Sequence, residues 1–305
     1  MIEKILLMRN EGIRVFDEIR EKSGTNNTQY DSAYNEIWFD FTDALVRLIE
    51  KYATTKEYQV RVNLHPLYEI EIRKQELIEN ELVITMDSYN IYPNGIMLGV
   101  SRAFNSNGLT QIGIEHRPGY PSVQIQLKKI LEKYGRGPYT LVDDDTYTGG
   151  TLMYIHASAK IEGLIIDQIV VGNQIGDKKL NEIKTVNFFP QQGILDLNDP
   201  RDFLFGSYEG GLVINYLDKK ARVPYILPFT SPYNRSGIPT DNEREFSKEI
   251  ILLNRKTYKS IESRTKKSIV VGDGNQYFAD YISYRYNLRP DNTTYIDLLD
   301  KISDI

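Results

Sequence analysis

The stretch Leu141-Val142-Asp143-Asp144-Asp145-Thr146-Tyr147-Thr148-Gly149-Gly150-Thr151-Leu152 decides which fold this chain is expected to adopt. Apolar residues lead into adjacent carboxylates, a Thr-Gly-Gly-Thr turn follows, and a helical apolar pattern then begins. This order predicts a strand, a loop and the start of a helix. Two glycines allow a close backbone approach, and the free N–H groups at a helix start bind anions. The stretch therefore predicts a phosphate-binding loop beside carboxylates that face a polyhydroxylic or cationic group.

At these residues the chain resembles the type I phosphoribosyltransferases, whose signature is a hydrophobic run, two acidic residues, a few variable positions and Thr-Gly-Gly-Thr. The resemblance implies that Asp143 and Asp144 act in catalysis, contact the ribose hydroxyls of phosphoribosyl pyrophosphate and hold Mg²⁺ through water or the ribose. It also implies a substrate-binding loop around the 5-phosphate. The substrate-binding residues predicted in this way are Asp145, Thr146, Tyr147, Thr148, Gly149, Gly150 and Thr151.

Two positions depart from the family pattern, since Asp145 and Thr146 stand where apolar residues are usual. Asp145 either binds a metal-bound water or points to solvent, and both interpretations stay open. The close match is confined to this stretch and to the helix and strand that follow it. A plain alternative is an acidic strand end followed by a glycine turn and a helix cap, with no ligand at all.

The composition of the chain limits its function. The 305 residues include 37 basic and 42 acidic side chains, a formal net charge of −5, which argues against nucleic acid as a partner. Cysteine is absent, which excludes disulfides, a thiol nucleophile and a zinc-thiolate site. With neither a signal pattern nor an apolar run of membrane-spanning length, we expect a cytoplasmic protein without a membrane partner. The sequence leaves open whether the protein forms a homodimer.

The fold class expected from the pattern is α/β. Strands and helices alternate from about residue 108, which predicts a parallel sheet whose ligands lie at the carboxyl ends of its strands. We predict a phosphoribosyltransferase-type core at residues 81–225, an N-terminal helical and β elaboration at 1–80 and a C-terminal α/β extension at 226–305.

Local patterns give further expectations for individual segments of the chain. They predict helices at about 2–22 and from Asp31 onward, strands at 58–64, 68–72, 184–189 and 268–271, a surface loop or connection from Pro224 to Pro239, and a capping box at Thr240 and Glu243 that opens a helix.

The leaving pyrophosphate needs cations from outside the motif. Arg102 and Arg117 are the candidates, as catalytic residues in loops that approach it, although either is equally well explained as a solvated arginine. His116 is a candidate general base, with a structural histidine as the alternative.

The predicted function is Mg²⁺-dependent transfer of a phosphoribosyl group to a nitrogenous acceptor such as a nucleobase, in nucleotide metabolism. The sequence does not identify the acceptor. One alternative is a haloacid-dehalogenase-like phosphatase with Asp143 and Asp145 as nucleophile and acid and Asp273 as a magnesium ligand, which leaves Thr148 to Thr151 unexplained. Another is a sensor that binds a phosphoribosyl compound without turnover. A second activity or a partner surface around Asp273 is also left open.

Overall fold

The computed structural model describes residues 2–10, 12–87, 92, 94–146, 148–175, 183–185, 194–207 and 210–303. The helices and strands of these residues are, in chain order, β1 (Ile2–Asn10), α1 (Asp17–Lys22), α2 (Asp31–Ala53), β2 (Tyr58–Pro66), α3 (Leu67–Gln75), β3 (Leu82–Thr85), β4 (Gly95–Met97), β5 (Val100–Phe104), β6 (Gln111–His116), α4 (Val123–Tyr134), β7 (Tyr139–Thr146), α5 (Gly150–Ile161), β8 (Ile166–Gln174), β9 (Ile183–Thr185), β10 (Ile194–Asn198), β11 (Leu212–Tyr216), β12 (Lys219–Val223), α6 (Tyr233–Ser236), α7 (Glu243–Thr265), α8 (Gln276–Tyr286) and α9 (Tyr295–Ile302).

The chain forms two compact units that are interleaved in sequence. Unit 1 contains Met1–Leu64, Phe104–Gln111 and Leu195–Ile305, and unit 2 contains His65–Ala103 and Ile112–Ile194. The predicted division into three consecutive domains, with boundaries at residues 80 and 225, differs from this grouping and stays a prediction. No helix in the described residues has both the length and the apolar character needed to cross a membrane.

Unit 2 is an α/β unit built on a parallel sheet, as predicted. Within the described residues its five strands have the order β4-β3-β7-β8-β9, and each neighbouring pair is parallel.

Strand β7 lies at the centre of the sheet and is buried on both faces. Tyr139 and Leu141 pack in one apolar cluster with residues of α4 and α5. Val142 packs in another cluster, with Val83 of β3 and residues that follow α3. A strand covered on both faces is mostly apolar, and the buried Thr140 satisfies its hydroxyl by donating to Gln168 Oε1, whereas the charged side chains occur only at the carboxyl end.

The order of the strands changes direction beside β7. Along the chain β3 comes first, β4 is added on one side of it, and β7 is then added on the other side. Such a reversal leaves a crevice at the carboxyl ends of the two strands that flank it, which is where open α/β sheets bind ligands. The crevice of unit 2 therefore lies between the ends of β3 and β7.

Unit 1 combines a small sheet of order β10-β1-β2 with helices that surround a large aromatic core. Helices α2 and α7 pack against each other. The rings of Tyr258 and Tyr295 are stacked with centroids 4.1 Å apart. Gly206 makes this arrangement possible, because a Cβ there would lie 1.7 Å from the Tyr295 hydroxyl.

Two predictions in the N-terminal region are wrong. Residues 2–10 form strand β1 rather than a helix, with Leu6 to Met8 buried in succession, because the segment pairs in a sheet instead of presenting one helical stripe. Residues 67–75 form helix α3 rather than a strand. The helix brings Glu71 and Lys74, three positions apart, to the same buried side.

Predictions for the C-terminal region also need correction. The segment from Pro224 to Pro239 is not a surface loop, since Ile226, Phe229 and Ile238 are fully buried. Helix α7 forms as predicted, but the capping box does not: the helix starts at Glu243 without a side-chain cap. In place of the strand predicted at residues 268–271, a 3-10 turn spans Val271–Asp273 and a single antiparallel bridge joins Val270 to Thr294. Of the strand predicted at 184–189, β9 supplies the start, and residues 186–189 lie outside the described residues.

A group of buried charges surrounds Asp202 in unit 1. The Asp199 carboxylate accepts a hydrogen bond from Nη2 of Arg9 at 2.9 Å. It also forms an ion pair with Nε of Arg201, at 2.5 Å. Asp202 Oδ1 accepts a hydrogen bond from the backbone N–H of Gly211 at 2.7 Å. Burial, and to a smaller extent the nearby Asp199 carboxylate, raise the pKa of Asp202 to about 7 against the lowering effect of the Arg201 guanidinium.

We expect Asp202→Asn to stabilise the protein at pH 8 and not at pH 4. The folded-state pKa lies above the ordinary value of 3.8, so between these values the folded chain retains a proton that the unfolded chain has lost, and stability falls as the pH rises from about 4 to about 7. Asparagine keeps an acceptor for Gly211 and cannot ionise. Thermal unfolding across this pH range should show a melting temperature at pH 8 higher by several degrees, equivalent to at least about 1 kcal/mol.

The exposed Asp218 provides the control, since Asp218→Asn removes the same charge from the surface of unit 1. Equal pH dependence of the Asp202→Asn variant and the wild type would show that the Asp202 carboxyl does not carry this effect.

Candidate functional site

The acidic run ends β7 at the point where β3 has stopped pairing with it. The last β3 pair joins Thr85 to Val142, and the N–H of Met86 donates to the carbonyl of Val142 at 3.2 Å. On the other side β8 continues, with Asn173 opposite Asp145. Asp143, Asp144 and Asp145 are each partly exposed. β3 thus does not pair with β7 at these residues, and the acidic run lies at the strand end where the topology predicts the crevice.

The strand distributes the three carboxylates over both faces of the sheet. Alternation places Asp143 and Asp145 on the face that α4 and α5 cover, and Asp144 on the opposite face. The Asp144 carboxylate also accepts a hydrogen bond from the N–H of Asp145 at 2.8 Å. Burial raises the pKa of Asp143 well above its usual range, and the Asp144 carboxylate raises it further, whereas the Lys74 ammonium lowers it. A ligand that brings a cation or hydroxyl donors relieves this repulsion.

The predicted phosphate loop has the backbone geometry of an anion site. Gly149 adopts a left-handed conformation with φ 72° and ψ 4°, which an L side chain rarely tolerates. Helix α5 starts at Gly150, and its N-cap residue, Gly149, has no side chain to cap the first N–H groups. Thr148 is exposed, and its Oγ1 accepts from the Gly150 N–H at 3.4 Å. Because the N-terminal end of a helix carries partial positive charge, this turn can hold a phosphate.

The other predicted residues of the motif differ in accessibility. Thr146 is buried at the end of β7, and its carbonyl accepts from the N–H of Ile175 at 2.7 Å. Thr151 is partly exposed in the first turn of α5. Tyr147 lies outside the described residues. Thr148, Gly150 and Thr151 are therefore the accessible members of the predicted loop.

Arg117 lies beside the crevice, in the loop after β6 as predicted. Its Nη2 donates to the carbonyl of Met86 at 2.5 Å, directly after β3, and its Nε donates to the carbonyl of Val100 at 2.8 Å. The backbone of Gly99 accepts from the Arg117 N–H at 2.9 Å. A Cβ on Gly99 would lie 2.2 Å from the ring of Tyr120, so glycine is needed for this packing. The cation is thereby fixed at the carboxyl end of β3.

Arg102 is placed differently from the prediction. It lies within β5 rather than in a loop, and its side chain is exposed. In the part of the chain that the structure describes, no hydrogen bond or ion pair joins it to the acidic run. His116 ends β6, and its Nδ1 lies 3.1 Å from the carbonyl oxygen of Arg117. Catalytic functions for Arg102 and His116 stay predictions.

The sequence interpretation missed two residues near the acidic run. Lys74 of α3 is fully buried, and its Nζ donates to the carbonyl of Asp143 at 3.2 Å. Asn173 ends the apolar run of β8, is 2% exposed, and has an Oδ1 with no hydrogen-bond partner in the described residues. A polar residue closing an apolar strand was a usable signal for Asn173. Nothing in the local pattern marks Lys74, because a helical lysine is normally solvated.

The acidic pair fits a magnesium ion that a ligand helps to hold. Within the described residues, no three His, Asp or Glu side chains are grouped so as to hold a metal by themselves. Asp143 and Asp144 supply oxygen donors of the kind that Mg²⁺ prefers, and they are partly exposed at the crevice. Mg²⁺ commonly keeps waters and takes further ligands from substrate phosphates. The donor set therefore suits an ion shared with a phosphorylated substrate.

The comparisons with known proteins give no family for this chain. No protein-family model matches it, and no curated protein matches it.

We expect Gly149→Ala to weaken binding of inorganic phosphate more than tenfold, whereas Gly163→Ala should leave binding unchanged. Both glycines have positive φ, 72° and 88°, and flank the same helix. Each substitution should cost roughly 1–2 kcal/mol of folding stability through backbone strain. Titration calorimetry with phosphate, beside thermal unfolding, separates the two effects. Equal phosphate affinity in the two variants would argue against an anion site at the start of α5.

Proposed function

We propose that this protein binds phosphoribosyl pyrophosphate in the crevice between β3 and β7 and transfers its phosphoribosyl group to a nitrogenous acceptor. The observation that carries the proposal is the left-handed Gly149 at the start of α5, directly behind an acidic pair at a reversal of strand order. The proposed phosphate site and the proposed site for sugar hydroxyls are neighbours along the chain, which suits a phosphorylated ribose.

The 5-phosphate fits the start of α5. The N–H groups of its first turn and the hydroxyls of Thr148 and Thr151 supply donors, and Gly149 and Gly150 leave room for the phosphate oxygens. These contacts are distant from the reacting carbon. Their contribution is to hold the ribose in one orientation, which lowers the entropic cost of the transfer.

The ribose hydroxyls fit the acidic pair. Asp143 and Asp144 accept hydrogen bonds from hydroxyl donors, and each charged hydrogen bond contributes about 1.5–3 kcal/mol. Asp145 lies on the same face as Asp143, and in this proposal its carboxylate accepts from a metal-bound water.

In the transfer, the bond from ribose C1 to a pyrophosphate oxygen breaks and its electron pair leaves with pyrophosphate, while a bond from C1 to the acceptor nitrogen forms and that nitrogen releases its proton to solvent. The carboxylates near the ribose favour the positive charge that develops at C1. Arg117 fixes the end of β3 on the side where the leaving group would lie. Mg²⁺, when bound, neutralises part of the charge of the pyrophosphate.

The phosphatase alternative fits the contacts less well. It requires Asp273 as a magnesium ligand, but the Asp273 carboxylate accepts from the Val270 N–H at 3.0 Å and closes its own turn. It also assigns no task to the turn from Thr148 to Gly150. The sensor alternative shares the binding site with the transferase and is distinguished from it by turnover alone.

We expect the wild-type protein to bind phosphoribosyl pyrophosphate with Mg²⁺ in the micromolar range, or about 8 kcal/mol. The double variant Asp143→Asn/Asp144→Asn should lose at least about 100-fold in affinity, since two charged hydrogen bonds to the ribose are weakened. Calorimetric titration measures both. A control, Glu132→Gln/Asp218→Asn, removes the same two charges from exposed positions and should bind as the wild type does.

Turnover decides among the alternatives. Pyrophosphate release with at least one member of a panel of nucleobases and amines supports the transferase. Binding without release for any acceptor would favour the sensor. Absence of binding, combined with phosphate release from phosphomonoesters that Asp143→Asn abolishes, would replace the proposal with the phosphatase.

A further inference from the structure

Lys74 is an unusual residue of unit 2 because a lysine is almost never fully buried without a partner. Its exposed fraction is 0%, and that of Glu71, one helical turn earlier in α3, is 1%. Lys74 Nζ lies 2.5 Å from Glu71 Oε1. Removing both charges from water is costly, and a buried pair of this kind is often no more stabilising than apolar residues of the same size. Folding stability alone therefore gives a weak reason for placing this ion pair here.

Tyr92 holds the other end of the ion pair. Its hydroxyl donates to Glu71 Oε2 at 2.6 Å, and the residue is 6% exposed. Burial and the Glu71 carboxylate both raise the pKa of Tyr92, so the hydroxyl stays protonated and remains a donor. Glu71 is thus held from two sides, which restricts the positions that the Lys74 ammonium can occupy.

The ammonium of Lys74 in turn reaches the motif strand. Nζ donates to the main-chain carbonyl of Asp143 at 3.2 Å. The preceding carbonyl, that of Val142, already accepts from the Met86 N–H of the neighbouring chain segment. Successive carbonyls of a strand point to opposite edges, so the Asp143 carbonyl faces the edge that pairs with β8, and Lys74 adds a side-chain donor to it beyond the last residue that β3 pairs.

The carbonyl of Asp143 belongs to the peptide group that joins Asp143 to Asp144. A peptide group is planar and includes both flanking Cα atoms, so fixing its oxygen restricts the positions of the Cα atoms of Asp143 and Asp144. The orientation of this one group consequently determines how the two carboxylates are presented. Such support is required where a binding geometry must be held to a fraction of an ångström.

We propose that Lys74, held by Glu71 and Tyr92, is a positioning residue that orients the Asp143 and Asp144 carboxylates toward the ribose of the bound substrate. This inference rests on the proposed function, because the ligand named is the ribose of phosphoribosyl pyrophosphate. Lys74 itself touches no substrate in this arrangement. It acts through the main chain of the acidic pair.

The test compares Lys74→Met with the double variant Glu71→Gln/Lys74→Met. Methionine keeps the length of the lysine stem but cannot donate. The single variant leaves Glu71 buried and unpaired and should be less stable, whereas the double variant removes the unpaired charge, keeps an acceptor for Tyr92 and should recover much of the melting temperature. Both variants should bind phosphoribosyl pyrophosphate with Mg²⁺ roughly tenfold or more weakly than the wild type.

A second readout needs no ligand. Hydrogen exchange followed by mass spectrometry should show faster exchange at residues 143–146 in both variants than in the wild type. The matched control is Gln168→Met. Gln168 is buried in β8, and its amide bonds the carbonyl of Leu77 and the hydroxyl of Thr140. The control destabilises the same side of the sheet away from the acidic run and should change neither the affinity nor the exchange at 143–146.

The outcomes separate this inference from the function on which it rests. Weakened binding in the double variant despite recovered stability, with faster exchange at 143–146, supports the positioning residue. Wild-type affinity and wild-type exchange in the double variant would overturn it and leave Lys74 as a counter-charge for Glu71. A wild-type protein that binds no phosphoribosyl pyrophosphate overturns the proposed function, and the orienting of carboxylates toward a ribose with it.

Discussion

The central position of β7 is the constraint on which unit 2 depends. This strand is hydrogen bonded on one edge to β3 and on the other to β8, and apolar clusters cover both of its faces. Leu141 and Val142 are fully buried as a consequence, and each such side chain contributes about 1.5–3 kcal/mol through removal from water. Carboxylates cannot occupy those positions without large desolvation costs. The acidic run begins where β3 stops pairing with β7, which places three consecutive carboxylates at the end of the central strand.

The same geometry brings two kinds of candidate ligand group within a few residues of each other. The chain leaves β7, turns through a left-handed Gly149 and enters α5 at Gly150. Acidic groups at a strand end and the N–H groups at a helix start attract opposite charges. A ligand that carries both hydroxyls or a cation and a phosphate satisfies both groups at once. This pairing, more than either feature by itself, is the chemical basis of the phosphoribosyl proposal.

Buried charge is used in both units, in places where it supports the main chain. In unit 2 the ammonium of Lys74 contacts the carbonyl of Asp143. In unit 1 the carboxylate of Asp199 binds Arg9 and also accepts from the N–H of Arg201 at 3.0 Å. Each ion pair has a high desolvation cost, which a good geometry and added hydrogen bonds offset. The local result is a backbone segment held in one conformation.

The sequence by itself determined the elements whose signals are local. The apolar run, the acidic residues and the paired glycines defined β7, the turn and α5, and helical periodicity defined α2, α4 and α7. The tertiary structure decided the rest, because those outcomes depend on partners distant in the chain. Residues 2–10 became a strand through pairing in a sheet with β2 and β10. Lys74 became part of the site because α3 packs beside β8 and β7. The residues adjacent in sequence do not include the distant residues that will bury a side chain. Periodicity therefore predicts whether a segment is a helix or a strand better than it predicts which elements the segment packs against.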